Sequence, residues 1–394
     1  MNLKKTYFLL FSFFLFSFGV DPQNLPKQIK VGLYYGHNIR SATTQAIGGK
    51  YELYSKGEFI KEIAKGGQLT FTASDSGIQL KHNDKKAGFF KKPLKMKKKS
   101  DNSDFTLNPI KDYHQKRYYN GGMIIDNSNG NLKLINKLPV EEYIAGVVLA
   151  EAGSDKELEF YKAQAVICRT YALHNLKRFK SKGFHLCDNV ECQVYEGINR
   201  HEAKIDKAVK ATEGIVLVDN NLNLITAAYH SNSGGKTVNA EDAWSFSVPY
   251  LRSIKDPFSR NQPHSTWKKE ISMNKWFVYL KSEHNYPVND TFYRQYAKDY
   301  CPKKRARYFL PHKRKIELKK IRKDLSLGST YFTIQTKGNK AIFKGKGFGH
   351  GVGLSQEGAM RMAEHGIPYT DILHFYYKDV NLVKTSAIEF FRKH

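Results

Sequence analysis

The spacing of apolar positions changes character once along the chain. From Ile29 to Lys81, short β-type runs are separated by Gly and Asn. The runs Ile29–Tyr35, Tyr51–Tyr54, Gln68–Ala73 and Gly77–Lys81 predict strands joined by turns. Arg117–Leu138 alternates around Asn120-Gly121-Gly122 and Asn127-Ser128-Asn129-Gly130, which predicts a hairpin pair. After this the period becomes helical. Val140, Tyr143, Ile144, Val147 and Val148 form one apolar face, with Pro139 at the first helical position and Glu141 and Glu142 in the first turn. Gly153 and Ser154 stop this helix near Glu151. Asp155 is expected to cap a second, long helix with the stripe Leu158, Tyr161, Ala165, Cys168, Ala172, Leu176 and Phe179. Gln164 and Arg169 lie beside that stripe, so they are expected to face the helix end that carries Glu151.

Further on, Ile215–Val218 and Leu222–Tyr229 predict two strands, followed by a polar glycine loop, Ser231 to Thr237. Near the end, five glycines from Gly345 to Gly353 open a helix running to about His365. The loop lacks the Gly-Lys-Ser/Thr ending of a phosphate loop, and its His350 and Ser355 suit a wall that grips substrate. The pattern implies an α+β protein. A β-rich N-terminal subdomain over 20–110 precedes a region, 111–394, of helices packed on a mixed sheet, with a less typical insert around 256–340 and a cleft between subdomains.

Composition narrows the partners. The 394 residues are 41% hydrophobic and 13% aromatic, which excludes a disordered chain. The net charge of +27 calls for a polyanion: nucleic acid, anionic lipid or an anionic wall polymer. Lys81 to Lys99 holds nine lysines against one acid, Asp84; this is either a solvated face or a surface that follows an anionic polymer. Lys4 and Lys5 precede an uncharged run, Tyr7 to Phe18, with small residues at Ser17 and Gly19. Residues 1–19 are therefore expected to be a signal peptide, cleaved or kept as an anchor, and the location extracytoplasmic (periplasm or cell wall). Nucleic acid is then not expected as a partner. Of the four cysteines, Cys168 sits on the buried stripe. His185, Cys187 and Cys192 form a local cluster that fits a Cys187–Cys192 disulfide or, with a further ligand, a structural zinc.

Three segments in order resemble the SpoIID/LytB family of secreted peptidoglycan lytic transglycosylases, related to stage II sporulation protein D. They are LPVEEYIAGVVLAEAG (138–153) running into KAQAVICRTYAL (162–173), AAYHSNSGGKTVNAEDAW (227–244), and GKGFGHGVGLSQEGAMRMA (345–363). The resemblance implies that Glu151 is the catalytic acid/base. It also implies that Gln164, Arg169, Tyr229, Ser231, Ser233, His350, Ser355 and Gln356 line the cleft, and that some members hold zinc near the segment equivalent to Cys192-Gln193. Where the family has Met-Pro after the Glu, this chain has Ala152-Gly153. The expected reaction cleaves the bond between MurNAc and GlcNAc, with the MurNAc 6-hydroxyl as nucleophile, and leaves 1,6-anhydro-MurNAc ends. It needs one carboxyl and no cofactor. The alternative is a non-catalytic wall-binding module or an amidase enhancer, with a cell-wall amidase as partner.

Overall fold

The computed structural model describes residues 25–100, 102–110, 115–198, 202–244, 246–303, 305–309 and 315–388. The expected signal peptide lies outside them. The fold is α+β. The strands before the first helix are β1 Gln28–Leu33, β2 Ser41–Ala46, β3 Tyr51–Ser55, β4 Glu58–Ile63, β5 Gln68–Ser74 and β6 Gly77–His82, then β7 Lys85–Phe90, β8 Leu94–Lys98, β9 Asp104–Pro109, β10 Arg117–Asn120, β11 Gly122–Ser128 and β12 Asn131–Pro139. Two-residue β13, Leu186–Cys187, comes later.

These strands build two sheets, in the orders β13-β1-β12-β11-β8-β3-β4 and β10-β9-β2-β5-β6-β7. Alternate residues bury against the facing sheet: Leu94 and Met96 on β8, Met123 and Ile125 on β11, Leu69 and Phe71 on β5. Tyr51 of the first sheet meets Phe105 of the second edge-to-face, with ring centroids 5.7 Å apart. The boundary expected at 110/111 therefore falls inside both sheets. β10 to β13 complete hydrogen-bond ladders that the earlier strands leave open, and the β unit runs to Pro139.

Of the expected hairpin pair, one forms. Asn129 and Gly130 both have positive φ (53° and 74°) and join β11 to β12 in a two-residue turn. β10 instead pairs with β9 in the other sheet. The chain changes sheets at Gly121, where φ is 72° and an added Cβ would come within 2.4 Å of the Lys137 carbonyl oxygen.

Helices α1 (Val140–Ala152) and α2 (Leu158–His174) pack on one end of this sandwich in a continuous core. Pro139 precedes the first helical turn as its cap rather than occupying it. Glu157, not Asp155, is the residue before α2; Asp155 adopts positive φ (60°) and its amide donates to Glu202. α2 ends at His174, and Leu176 and Phe179 follow in turns. Ile215–Val218 pairs antiparallel with Asn381–Lys384. The expected strand 222–229 shrinks to Tyr229–His230, which runs parallel to Leu354–Ser355. Residues 266–346 build a small unit with its own core around the fully buried Trp276, a three-stranded sheet with helices Met273–His284, Thr291–Lys298 and Leu318–Asp324. Among the described residues no helix is long and apolar enough to cross a membrane.

Gly121→Ala should destabilise the chain by about 1–3 kcal/mol in urea unfolding, because it combines positive φ with a backbone clash. Gly57, also at positive φ (93°) but in open space, should tolerate Ala with a smaller loss.

Candidate active-site groove

α1 is apolar on nearly all sides, so it is buried between the sandwich and α2. Its C-terminal turn reaches an open surface. Gly153 ends it with φ 70° and returns its amide to the Leu149 carbonyl at 2.9 Å. This leaves Glu151 on the last turn, at the floor of a groove of about 700 Å³.

Two groups hold its carboxyl. The Val194 amide donates to Oε1 at 2.8 Å, and the Tyr229 hydroxyl bonds to the same carboxyl. Burial raises the Glu151 pKa above the ordinary glutamate value, and these two hydrogen bonds pull it partway back. Gln356 at the start of the helix Gln356–Glu364 donates to the backbone carbonyl of Glu151 at 3.5 Å, closing the floor from the far end of the sequence.

The loop that supplies Val194 is fixed from the β unit. Asp188, 5% exposed, accepts the amides of Tyr34 (2.7 Å) and Tyr35 (3.0 Å) and pairs with Arg117 at 2.9 Å. Cys187 and Cys192 form a disulfide across the same turn, with Cα atoms 5.8 Å apart. Joined sulfurs offer no thiolate to a cation, and the third expected ligand, His185, accepts the Lys30 amide through Nδ1. Among the described residues no group of His, Cys, Asp and Glu is placed to hold a metal ion.

The expected site residues divide in two. Glu151, Tyr229, Ser231, His350 and Gln356 line the groove together. The other four do not reach it. Gln164 is fully buried beneath the floor and donates to Cys168 Sγ at 3.3 Å. Arg169 turns the other way, where Nε bonds Glu141 at 2.8 Å and Nη1 bonds the Ile215 carbonyl at 3.0 Å. The cause is α2's angular spacing: Arg169 lies five residues from Gln164, well over one turn, so the two cannot share a heading. Ser233 is buried and donates to Asp256 at 2.8 Å. Ser355 is buried as the cap of the helix that Gln356 begins. These residues shape the wall from behind.

The groove also recruits residues that the sequence did not single out. Trp244 lies 5.4 Å from the His350 ring and stacks on Phe246 at 6.0 Å. Arg178 and Arg322 line opposite sequence contributions to the wall, the second from the 266–346 unit. Burial lowers the Arg322 pKa, and no carboxylate pairs with it among the described residues. His350 is held at about 4 by burial and by the Arg322 charge, so it is neutral at pH 7. Trp244 had a readable signal, since it closes the second motif; Arg322 had none, because its stretch shows only scattered basic residues.

Glu151 is thus a framed carboxyl in a groove walled by three separated motifs of an α+β chain. A profile described as stage II sporulation protein (SpoIID) matches residues 128–218. The chain is 31% identical over 268 residues to stage II sporulation protein D of Bacillus amyloliquefaciens, covering 64% of this chain and 76% of that one. It is 30% identical over 356 residues to an uncharacterized protein of Brachyspira hyodysenteriae, covering 89% and 92%. It is 32% identical over 291 residues to the amidase enhancer of Bacillus subtilis, covering 61% of this chain and 40% of that protein. The chain belongs to the stage II sporulation protein D family.

Asp188→Ala should cost about 3–5 kcal/mol in unfolding of the disulfide-intact protein, because it leaves two amides without an acceptor and Arg117 with only the more distant Glu196 carboxylate, at 3.7 Å. A loss below about 1 kcal/mol would mean that the loop is not held from the β unit.

Proposed function

We propose that the chain acts on the bacterial cell wall as a peptidoglycan lytic transglycosylase, with Glu151 as its acid and then its base. The observation that carries this reading is the Glu151 carboxyl itself: burial raises its pKa, yet it faces an open groove of about 700 Å³. The protonated carboxyl gives its proton to the bridging O4 as the C1–O4 bond breaks. The MurNAc 6-hydroxyl then bonds to C1 and passes its proton to the Glu151 carboxylate, which restores the acid. The substrate supplies the nucleophile, so no second carboxylate is needed. Glu191, the other acid on the groove wall, is exposed and plays no part in this scheme. The Trp244–Phe246 stack and His350 offer flat faces for sugar rings, and Arg178 and Arg322 offer positive charge to glycan carboxylates. An extracytoplasmic location fits this substrate.

A second reading has one observation behind it, the similarity to a protein called amidase enhancer. In that reading the groove holds glycan without cleaving it, and a wall amidase is the partner.

Digestion of purified glycan strands separates the two. Wild type should release 1,6-anhydro-MurNAc ends, seen by mass spectrometry. Glu151→Gln should lose at least about 100-fold in rate while still binding strands, and Glu191→Gln should stay within about threefold of wild type. Binding without cleavage by wild type would favour the enhancer reading.

The raised pKa also makes a stability prediction. A folded-state pKa above the unfolded one gives stability that is present at low pH and lost as pH rises through the folded value. Glu151→Gln does not titrate, so its melting temperature relative to wild type should rise as pH climbs through and above the carboxylate range. A constant difference would show that the carboxyl is solvated.

A further inference from the structure

A second concavity, about 420 Å³, opens on the outer face of the seven-stranded sheet, away from Glu151. Lys30, Lys95, Lys97 and Lys137 line it around Gly121 and Gly122, and no acidic side chain among the described residues does. The strand register explains the arrangement. Lys30 on β1 stands directly opposite Lys137 on β12, and Lys137 stands opposite Gly122 on β11. On the far side of β11, Ile124 faces Lys95 of β8, which brings Lys97 beside Gly122. With strands about 4.8 Å apart, Lys137 and Lys97 flank a bare glycine floor roughly 10 Å wide. Side chains alternate, so the four lysines share the outer face while Leu94, Met96 and Leu138 point inward. The floor stays bare for a backbone reason: a Cβ on Gly122 would come within 2.8 Å of the Met96 carbonyl oxygen.

Like charges directly opposite across strands destabilise a sheet. The same sandwich pairs some of its lysines with acids elsewhere. Lys99 pairs with Glu52 (3.0 Å) and Glu62 (2.7 Å), Lys50 with Glu62 (3.0 Å), and Lys133 with Asp126 (2.8 Å). At Lys30 and Lys137 no acid forms an ion pair among the described residues. Lys98 also borders the concavity and lies toward the Glu142 carboxyl. Lys97 stands opposite Glu52 on β3, and its ammonium rests over the Tyr54 ring of that strand at 4.3 Å.

The lysine run of the sequence is thereby divided. Lys81, Lys85 and Lys86 sit on β6 and β7 of the other sheet, and Lys99 is taken by glutamates. Lys95 and Lys97 of the run join the concavity without an ion pair among the described residues, and their companions, Lys30 and Lys137, lie far from it in sequence.

We propose that this lysine-walled floor binds the phosphate groups of a linear polyanion, at a site separate from the Glu151 groove. The wall is lined by lysines and by no arginine. Such a set suits a tetrahedral oxyanion approached from several sides better than a planar carboxylate, which arginine grips in two-point fashion. A single floor between paired lysines takes one phosphate at a time, and a polymer raises the local concentration of the next.

The test uses the full chain and long-chain inorganic polyphosphate, with inorganic monophosphate and vesicles of an anionic phospholipid as comparison ligands. Lys30→Gln/Lys137→Gln should weaken polyphosphate binding at least tenfold and lower the slope of log affinity against log salt by about two. Lys85→Gln/Lys86→Gln removes the same charge from β7 and should weaken it no more than about threefold. Lys30→Arg/Lys137→Arg should bind within threefold of wild type, and melting curves should match, since these side chains project outward. Equal losses in the two Gln pairs would show diffuse charge and overturn the site. Monophosphate binding as tightly as polyphosphate would overturn the polymer. Vesicle binding that depends on Lys30 and Lys137 while polyphosphate binding does not would assign the floor to lipid and overturn the proposal. Glycan cleavage is not read in any arm, so the result stands apart from the role of Glu151.

Discussion

The placement of the groove depends on the Asp188 carboxylate. It is buried at the seam between the β sandwich and the helices, and three donors from the sandwich converge on it: the amides of Tyr34 and Tyr35 and the Arg117 guanidinium. A buried carboxylate with that many partners is costly to disrupt and has one low-energy position. It fixes the turn that the Cys187–Cys192 disulfide closes, and that turn carries Gln193 and Val194. Val194 then donates to Glu151, and Gln193 donates to the Tyr229 hydroxyl at 3.4 Å. The β unit, remote from the groove in sequence, thus sets the position of the carboxyl through two short steps.

The electrostatics of the groove follow from this packing. α1 brings Glu151 out of an apolar core, so its charged form is poorly solvated and its proton is held more tightly. Around it, burial acts on the other titratable groups as well. His350 is neutral at pH 7 because it is buried beside Arg322. His230 is likewise pushed down by burial and by its neighbours, and Cys168 is pushed up to about 12. The positive charge sits on Arg178 and Arg322, which suits a polymer that bears carboxylates. In the proposed reaction these cations hold the strand while one carboxyl moves the proton.

Much of this was legible in the sequence, for identifiable reasons. α1 was readable because its apolar positions keep a helical period and Gly153 supplies the positive φ that ends it. The β11–β12 hairpin was readable because Asn129-Gly130 meets the demands of a two-residue turn. What stayed hidden depends on tertiary context. β10 carries the same alternation as β11, and only the sheet change at Gly121 sends it elsewhere. Arg169 and Gln164 share a helix, and only the position of Glu141 shows that the arginine faces away. Asp155 has the composition of a helix cap, yet the chain bends there with positive φ because Glu202 and Tyr161 hold the loop. Ser233 and Ser355 look like exposed loop hydroxyls in sequence and are buried because two distant loops close on each other, Ser233 donating its amide to the Ser355 hydroxyl at 3.2 Å. Arg322 belongs to a unit with its own core, and nothing local marks which of its basic residues will turn toward the groove.

The central claim is that a loop anchored through Asp188 keeps the Glu151 carboxyl in a poorly solvated place with its pKa raised. Titration of the side-chain carboxyl of Glu151 by carbon-13 NMR tests this most directly, in wild type and in Asp188→Asn. The account predicts a midpoint clearly above that of an exposed glutamate in wild type, and a shift back toward the ordinary value when the anchor is weakened and water reaches the carboxyl. A wild-type midpoint equal to that of an exposed glutamate would contradict it.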